Sequence, residues 1–444
     1  SKNHLTFFLF FEGVIVLTLS EAIGSRLHSI FEIKELKKRI LFTLGMFLIA
    51  RIGIHIAVPG LDMQAFKNFQ NNSAGGFLNL FSGGAIQRAS IFSLGIIPYI
   101  NASIIFQLIG VVVPKIDEMQ KEGGKEKEKI TQWTRYLTII IAILQSIGII
   151  VLLESQGLVI EPGMMFNIQT ITLITGGTAF LMWVAERISI RGIGNGTSML
   201  IFLNIVSGLP QVIYQMAKNL PGGLGMILFI VSLILFIGLI ALMVLIQLAE
   251  RRIPIQYVGK GRAAGGTSTV GQRTFLPLKI NMSGVMPIIF ASVLMSAPAF
   301  LVGLMKSSAL KNILTKGFSQ TGWMYLLLFA VLVIIFSFFY TSIVFDPEKV
   351  SENLKQSGAT IPQIRPGADT ADYLEGVATR ITFGSALFLA ILGVFPNIWF
   401  GYVLNMQVLL GGTSLLILVG VAVDLLQQID SQSAVKSYKG FISK

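Results

Sequence analysis

Ten strongly apolar stretches punctuate this chain, and basic residues crowd into every second connection between them. The stretches are Ile40 to Pro59, Ile91 to Pro114, Tyr136 to Leu153, Ile168 to Val184, Ser198 to Met216, Met226 to Leu248, Val285 to Val302, Met324 to Val344, Ile381 to Phe395 and Val408 to Val423. Each is long enough, or nearly so with its flanks, to cross a hydrocarbon core of about 30 Å as a helix. Water is absent there, so an apolar run spans by bonding its own N–H groups to its own carbonyls. The chain is 53% hydrophobic and 13% charged over 444 residues, with a mean hydropathy of +0.74, too apolar for a soluble protein of that length.

Lys and Arg are retained in cytoplasmic connections. Six segments that must share a side hold 26 of the 34 basic residues: Arg26 to Arg39, Pro114 to Arg135, Arg187 to Arg191, Glu250 to Ile280, Asp346 to Arg380 and the tail after Asp424. Both termini are therefore expected in the cytoplasm. The net charge of +12 follows from the same bias before any polyanionic partner is invoked. Ahead of the spans, Leu5 to Leu19 is apolar but interrupted by Glu12, which leaves a signal anchor, an interfacial helix or an artefact of the chain start open. Ile30 to Arg39 reads as a short amphipathic helix on the cytoplasmic surface.

Two of the spans carry one nine-position pattern, G-[IV]-[IM]-P-x-I-x-A-S, at Gly95 to Ser103 and again at Gly284 to Ser292. Matched Gly/Pro interruptions in corresponding places suggest two related halves, residues 40–216 and 226–426, with the working site beside the kinks. Chance likeness between two apolar helices is the competing reading. Ile96 and Ile100 share a helical face, and Ile289 holds in the second copy the position of Ile100. Facing one another, they would form an apolar constriction that dewets and blocks ions without a charged filter. Ordinary packing is again the alternative.

Catalysis has little to work with. Cysteine is absent, and His4, His28 and His55 have no metal-binding spacing. Arg51 and His55 lie one turn apart, as a packed or snorkelling pair or, less simply, a proton relay. Glu186 and Arg187 read as an interfacial ion pair. The glycines of Gly192 to Gly196 and Gly259 to Gly261 follow no strand and open no Walker sequence, so the first is taken as a tight cytoplasmic turn. No enzyme, metal or cofactor is expected.

Two cytoplasmic loops, 250–280 and 346–380, are far longer than helix connections usually are. The first carries Arg251, Arg252, Lys260 and Arg262, and the second the turn Ile364-Arg365-Pro366-Gly367. Mobile basic tips suit docking to RNA phosphate or an acidic protein surface, with the positive-inside bias as the plain alternative. Gly75 to Ser93 is too polar to span and too apolar for a free loop, which suits a half-helix folded into a cavity.

These residues resemble the SecY family of protein-conducting channels from about Ile30 to Lys444. The likeness rests on FSGGAIQRASIFSLGIIPYINASII, KEGGKEK, TQWTRY, ERISIRGIGNGTS, RRIPIQY, LPLKINMSGVMPIIFAS, NLKQSGATIPQIRPG and GGTSLLI. It implies an all-α polytopic fold, ten transmembrane helices in two pseudo-symmetric five-helix halves around a central pore, followed by a cytoplasmic tail at 427–444. Carried over by motif, the pore ring falls on Ile96, Ile100, Thr197, Ile201, Ile289 and Ile417. A plug falls at about 76–90, including Phe81, Ser82, Gly83, Gly84 and Arg88. A lateral gate falls between the second and third spans and the seventh and eighth, near Asn101, Ser103 and Ser292. Arg365 matches the family's basic residue for engaging a cytoplasmic partner. Thr197 departs from the usual aliphatic, residues before Ile30 have no counterpart, and Val258 to Thr274 is poorer in adjacent basic pairs than the family's loop tip.

The resemblance further implies a bacterial cytoplasmic membrane, the small membrane subunits SecE and SecG, and the ATPase SecA or a translating ribosome as the source of energy. Signal sequences and nascent polypeptides would pass across the membrane or sideways into the lipid bilayer. The rival is a secondary transporter with inverted repeats, which needs charged or multiply polar residues at the kinks. The residues there are Ile, Met, Ala, Asn101, Ser103 and Ser292.

Overall fold

A computed structural model describes residues 33–62, 85, 88–122, 124–155, 157–219, 223–257, 274–304, 322–404 and 411–442. In chain order its elements are α1 (Lys34–Gly53), α2 (Ile97–Val112), α3 (Pro114–Glu122), α4 (Gly124–Ser155), α5 (Met164–Arg191), α6 (Gly196–Asn219), α7 (Gly223–Leu248), β1 (Glu250–Tyr257), β2 (Thr274–Lys279), α8 (Met286–Leu304), α9 (Trp323–Val344), α10 (Pro347–Gln356), β3 (Ala359–Thr360), α11 (Ala368–Ile398) and α12 (Gly412–Ile442). A helix lies at each of the ten apolar stretches. Seven are long and apolar enough to cross a membrane: α4, α5, α6, α7, α9, α11 and α12. Of the other three, α2 is only 16 residues long and then turns by 119° into α3, while α1 opens on the charged sequence KELKKR. The expected surface helix at Ile30 to Arg39 is not a separate element over its described part, because Lys34 to Arg39 form the first turns of α1.

Hydrophobic burial does not drive one helix onto another in lipid, so close packing at small residues must. A methyl built on Gly412 would stand 2.3 Å from the Gly393 carbonyl oxygen, and one on Gly393 2.7 Å from the Phe329 ring. These contacts join α12, α11 and α9. The span in α12 is 61% buried and that in α7 only 17%, so α12 sits centrally and α7 faces outward. Buried hydroxyls on the helices bond inward to their own backbone: Thr134 Oγ1 donates to the Ile130 carbonyl, Ser146 Oγ to Ala142 and Ser337 Oγ to Val333.

The two copies of the nine-residue pattern fold alike. Gly95 and Gly284 take φ of +58° and +61°, where a side chain is strained. Each helix then begins two residues later with proline in its first turn, where the missing N–H costs nothing. The N–H groups of Ile100 and Ile289 both reach back four residues, to the Ile96 carbonyl at 3.1 Å and the Val285 carbonyl at 3.2 Å. The pattern's alanines, Ala102 and Ala291, are both fully buried.

The two long loops, 250–280 and 346–380, carry regular structure wherever they are described. β1 and β2 form an antiparallel hairpin in register Glu250↔Lys279 to Ile255↔Thr274, and β1 also pairs with β3 through Gln256↔Thr360. Ile253 and Leu278 pack with Ile361, Leu374 and Val377 in one small core. In their described parts the two long loops therefore form one subdomain, and α11 begins within the second of them. The alternation of Ile253 and Ile255 with exposed residues supplies its buried face.

Gly95→Ala and Gly284→Ala should each cost about 1–2 kcal/mol, because a side chain is forced into the left-handed region. Gly45→Ala, which meets nothing within 4 Å, should be neutral or stabilising. Thermal unfolding in detergent checks the contrast.

Candidate functional site

Five isoleucines lie buried in the apolar interior of the bundle. Ile96 and Ile100 come from the start of α2, Ile201 from α6, Ile289 from α8 and Ile417 from α12; each is at most 4% exposed, and all belong to one apolar cluster. Thr197 lies one turn before Ile201 and is half-buried. Its N–H donates to Asn195 Oδ1 at 3.0 Å, which makes Asn195 the N-cap of α6.

The turn ahead of α6 is held from three sides. The Ile193 N–H donates to Thr43 Oγ1 of α1 at 3.1 Å, the Gly194 N–H to Gln428 Oε1 of α12 at 2.7 Å, and the Gly196 N–H to Ser189 Oγ of α5 at 2.8 Å. A methyl on Gly196 would overlap the Ala185 carbonyl oxygen at 1.8 Å. These three amides are committed to side chains, which agrees with a tight turn and leaves none of them for a phosphate. On the second half, Asn281 Nδ2 donates to the Gly284 carbonyl at 3.0 Å and steadies the kink. Val285 fits so closely against α12 that a methyl on Gly420 would stand 1.8 Å from its Cγ1. Sequence reading passed over Val285, although it occupies the pattern position of Ile96 and is equally buried.

Phe81, Ser82, Gly83 and Gly84 lie outside the described residues. Arg88 is exposed and contacts His55 Nε2. Residues 88–96 are turns and not part of a half-helix; they are laced to the end of α1 by the Val58 N–H on the Ala89 carbonyl at 2.8 Å and the Ile91 N–H on the Ile56 carbonyl at 3.0 Å. His55 falls beyond α1, with Nδ1 2.9 Å from the Arg51 carbonyl, while Arg51 Nη1 donates to Ser207 Oγ of α6 at 2.9 Å. Glu186 pairs with Arg135 of α4 through two bonds of 2.7 and 2.8 Å, not with Arg187, whose guanidinium lies over the Trp183 ring. A neighbouring helix offered Glu186 a bidentate partner that its sequence neighbour could not.

Asn101, Ser103 and Ser292 sit on α2 and α8. Ser292 Oγ donates to the Ile289 carbonyl, Ser103 Oγ accepts from Gln107, and Asn101 Oδ1 is buried without a hydrogen-bond partner. Around them α2 packs extensively on α4, with Phe106 stacked on Trp133, and α8 on α9, with Phe290 edge-on to Phe336 and Tyr340. Between these pairs α8 meets α2 and α4 along a thinner seam.

On the loop subdomain Arg251 and Arg252 are exposed along β1, while Lys260 and Arg262 lie outside the described residues. Arg365 is exposed on a rigid turn: Thr370 Oγ1 donates to its carbonyl at 2.7 Å, and Ser351 Oγ to the Gly367 carbonyl at 2.6 Å. Among the described residues no group of three His, Asp or Glu could hold a metal.

A family model described as SecY matches residues 90–426. The protein translocase subunit SecY of Aquifex aeolicus is 38% identical over 432 residues, covering 94% of this chain and 99% of that one. Among solved structures, the chain shares its fold at a TM-score of 0.62 and 18% identity with a SecY protein whose plug domain stabilises the closed state of the translocation channel; 88% of this chain and 91% of that one are covered. It also shares it with Sec61 in the canine ribosome-channel complex from the endoplasmic reticulum, at a TM-score of 0.57 and 17% identity over the same shares.

Asn195→Ala removes the α6 cap and should cost about 1 kcal/mol. Thermal unfolding checks this, and Asn195→Asp should recover most of the loss.

Proposed function

The chain belongs to the SecY family, and from that premise we propose that it is the channel-forming subunit of a bacterial protein translocase, set in the cytoplasmic membrane with both termini in the cytoplasm. An unfolded chain enters from the cytoplasm, displaces a plug formed around Phe81 to Ser90, passes a ring of Ile96, Ile100, Thr197, Ile201, Ile289 and Ile417, and leaves on the far side. The observation that supports this reading is the burial of five isoleucines, from four helices and both copies of the kinked pattern, within one continuous apolar cluster. An aliphatic ring yields around any side chain yet dewets when empty, whereas a polar filter would select. A secondary transporter is not favoured, since the kinks offer no ionisable residue.

The thin seam between the α2–α4 and α8–α9 pairs supports a lateral gate, through which apolar segments of about 20 residues would partition into lipid. Arg251, Arg252 and Arg365 on one ordered subdomain support docking of a ribosome or of SecA, with Lys260 and Arg262 falling between β1 and β2 in the sequence. SecE and SecG complete the proposed assembly.

The chain has no cysteine, so single cysteines at Ile96, Ile289 or Ile417 test the path directly. With a secretory chain stalled halfway and carrying one cysteine, oxidation should crosslink at all three and not at Leu327, which is 59% exposed on the outer face of α9. Absence of crosslinks from a partner-engaged chain would reduce the ring to packing. Arg365→Glu should slow partner-driven export while leaving the unfolding temperature unchanged, and normal transport in that variant would reject the docking role.

A further inference from the structure

Phe92 lies four residues before Ile96 and is only 3% exposed. Its ring occupies a slot that two other helices leave open by having no side chain. A methyl on Gly53, the last residue of α1, would stand 2.0 Å from Phe92 Cε2 and 2.5 Å from Cζ. A methyl on Gly177, in α5, would stand 2.9 Å from Phe92 Cδ1 and 2.3 Å from the Ile91 carbonyl oxygen. Neither glycine has a positive φ, so each supplies space and not a special backbone. A helix-interior glycine costs about 1 kcal/mol against alanine, which the seated ring offsets. The adjacent Gly176 meets nothing within 4 Å. Phe180 completes the slot, stacked on Phe92 with centroids 6.0 Å apart and planes 10° from parallel.

The backbone on either side of the ring is tied as well. Ser90 is fully buried; its Oγ donates to the Gly53 carbonyl at 3.0 Å and accepts from the Phe92 N–H at 3.2 Å. The Gly95 N–H donates to the Phe92 carbonyl at 2.8 Å, closing a turn whose next residue is Ile96. One turn and one left-handed glycine thus separate the seated ring from the constriction.

We infer that Phe92 is a positioning residue for the constriction: lodged between Gly53 and Gly177, it fixes the Gly95 turn and so holds Ile96 in the ring. The inference rests on the reading of the isoleucines as the channel's seal. It assigns a role to a side chain that touches neither lipid nor the passing chain, and explains why α1 and α5 both carry glycine beside it.

The intact chain in liposomes gives two readouts, chloride leak and unfolding temperature. Phe92→Ala should raise leak several-fold, as should Gly53→Ala and Gly177→Ala, while Gly176→Ala stays tight. Adding Phe92→Leu should reseal Gly53→Ala, whose methyl has Phe92 ring atoms as its three nearest neighbours, but not Gly177→Ala, whose methyl still meets the Ile91 carbonyl. Phe92→Ala that unfolds earlier yet leaks no more than the parent, beside a leaky Ile417→Asn, would make Phe92 mere packing and leave the ring reading standing. Equal leak from Gly176→Ala would overturn the slot. A tight Ile417→Asn would bring down the ring reading, and this inference with it.

Discussion

Two glycines in left-handed backbone, Gly95 and Gly284, set the geometry on which the centre of this molecule depends. Each turns the backbone just ahead of a helix with proline in its first turn, and the sixth position of the pattern, Ile100 or Ile289, belongs to the shared cluster. Irregular backbone is tolerated at that depth only where protein or water meets it. Both kinks meet protein: the first is anchored through Phe92 and Ser90, the second through Asn281 and the close seat of Val285 on Gly420.

Around the kinks, polar chemistry is kept local. Thr134, Thr138, Ser337 and Thr341 return their hydroxyls to carbonyls of the preceding turn, which satisfies them without asking for a partner on another helix. The bidentate Arg135–Glu186 pair joins α4 and α5, with the Glu186 side chain 20% exposed. The result is a centre whose cohesion is shape and dispersion. Such an interface can part without leaving an unpaired charge behind, which suits the proposed ring and gate better than an ion-paired seam would.

Much of this was legible in the sequence because it repeats or alternates. The ten apolar stretches mark every long helix, and the nine-residue pattern marks both kinks down to the residue that turns left-handed. What escaped were relations between distant segments. Nothing local in RRIPIQY says that β1 will pair with Ala359–Thr360, some hundred residues on, so two loops read as separate and mobile form one subdomain. Glu186 was matched to the basic residue beside it because sequence proximity is visible and helix neighbours are not. The clearance at Gly53, Gly177 and Gly420 is equally invisible, since a glycine needed for space and one that is merely tolerated look the same in a string of letters.

The subdomain and the seam are mechanically different, and that difference bears on how a cytoplasmic event could reach the membrane. Arg251, Arg252 and Arg365 are exposed on a small packed core that also includes Leu374 and Val377 of α11, so force applied there is passed directly to α11. That helix packs against α9 and α12, and α12 carries Ile417, while α9 forms one side of the thin seam. A partner docked there, as proposed, therefore has a continuous packed route to both the proposed ring and the proposed gate. The first half has a different fixture: α1, α5 and α12 are bound together at the Gly192 to Gly196 turn through Thr43, Ser189 and Gln428. α12 thus packs on α11, the helix of the subdomain, and also closes the turn that fastens the first half.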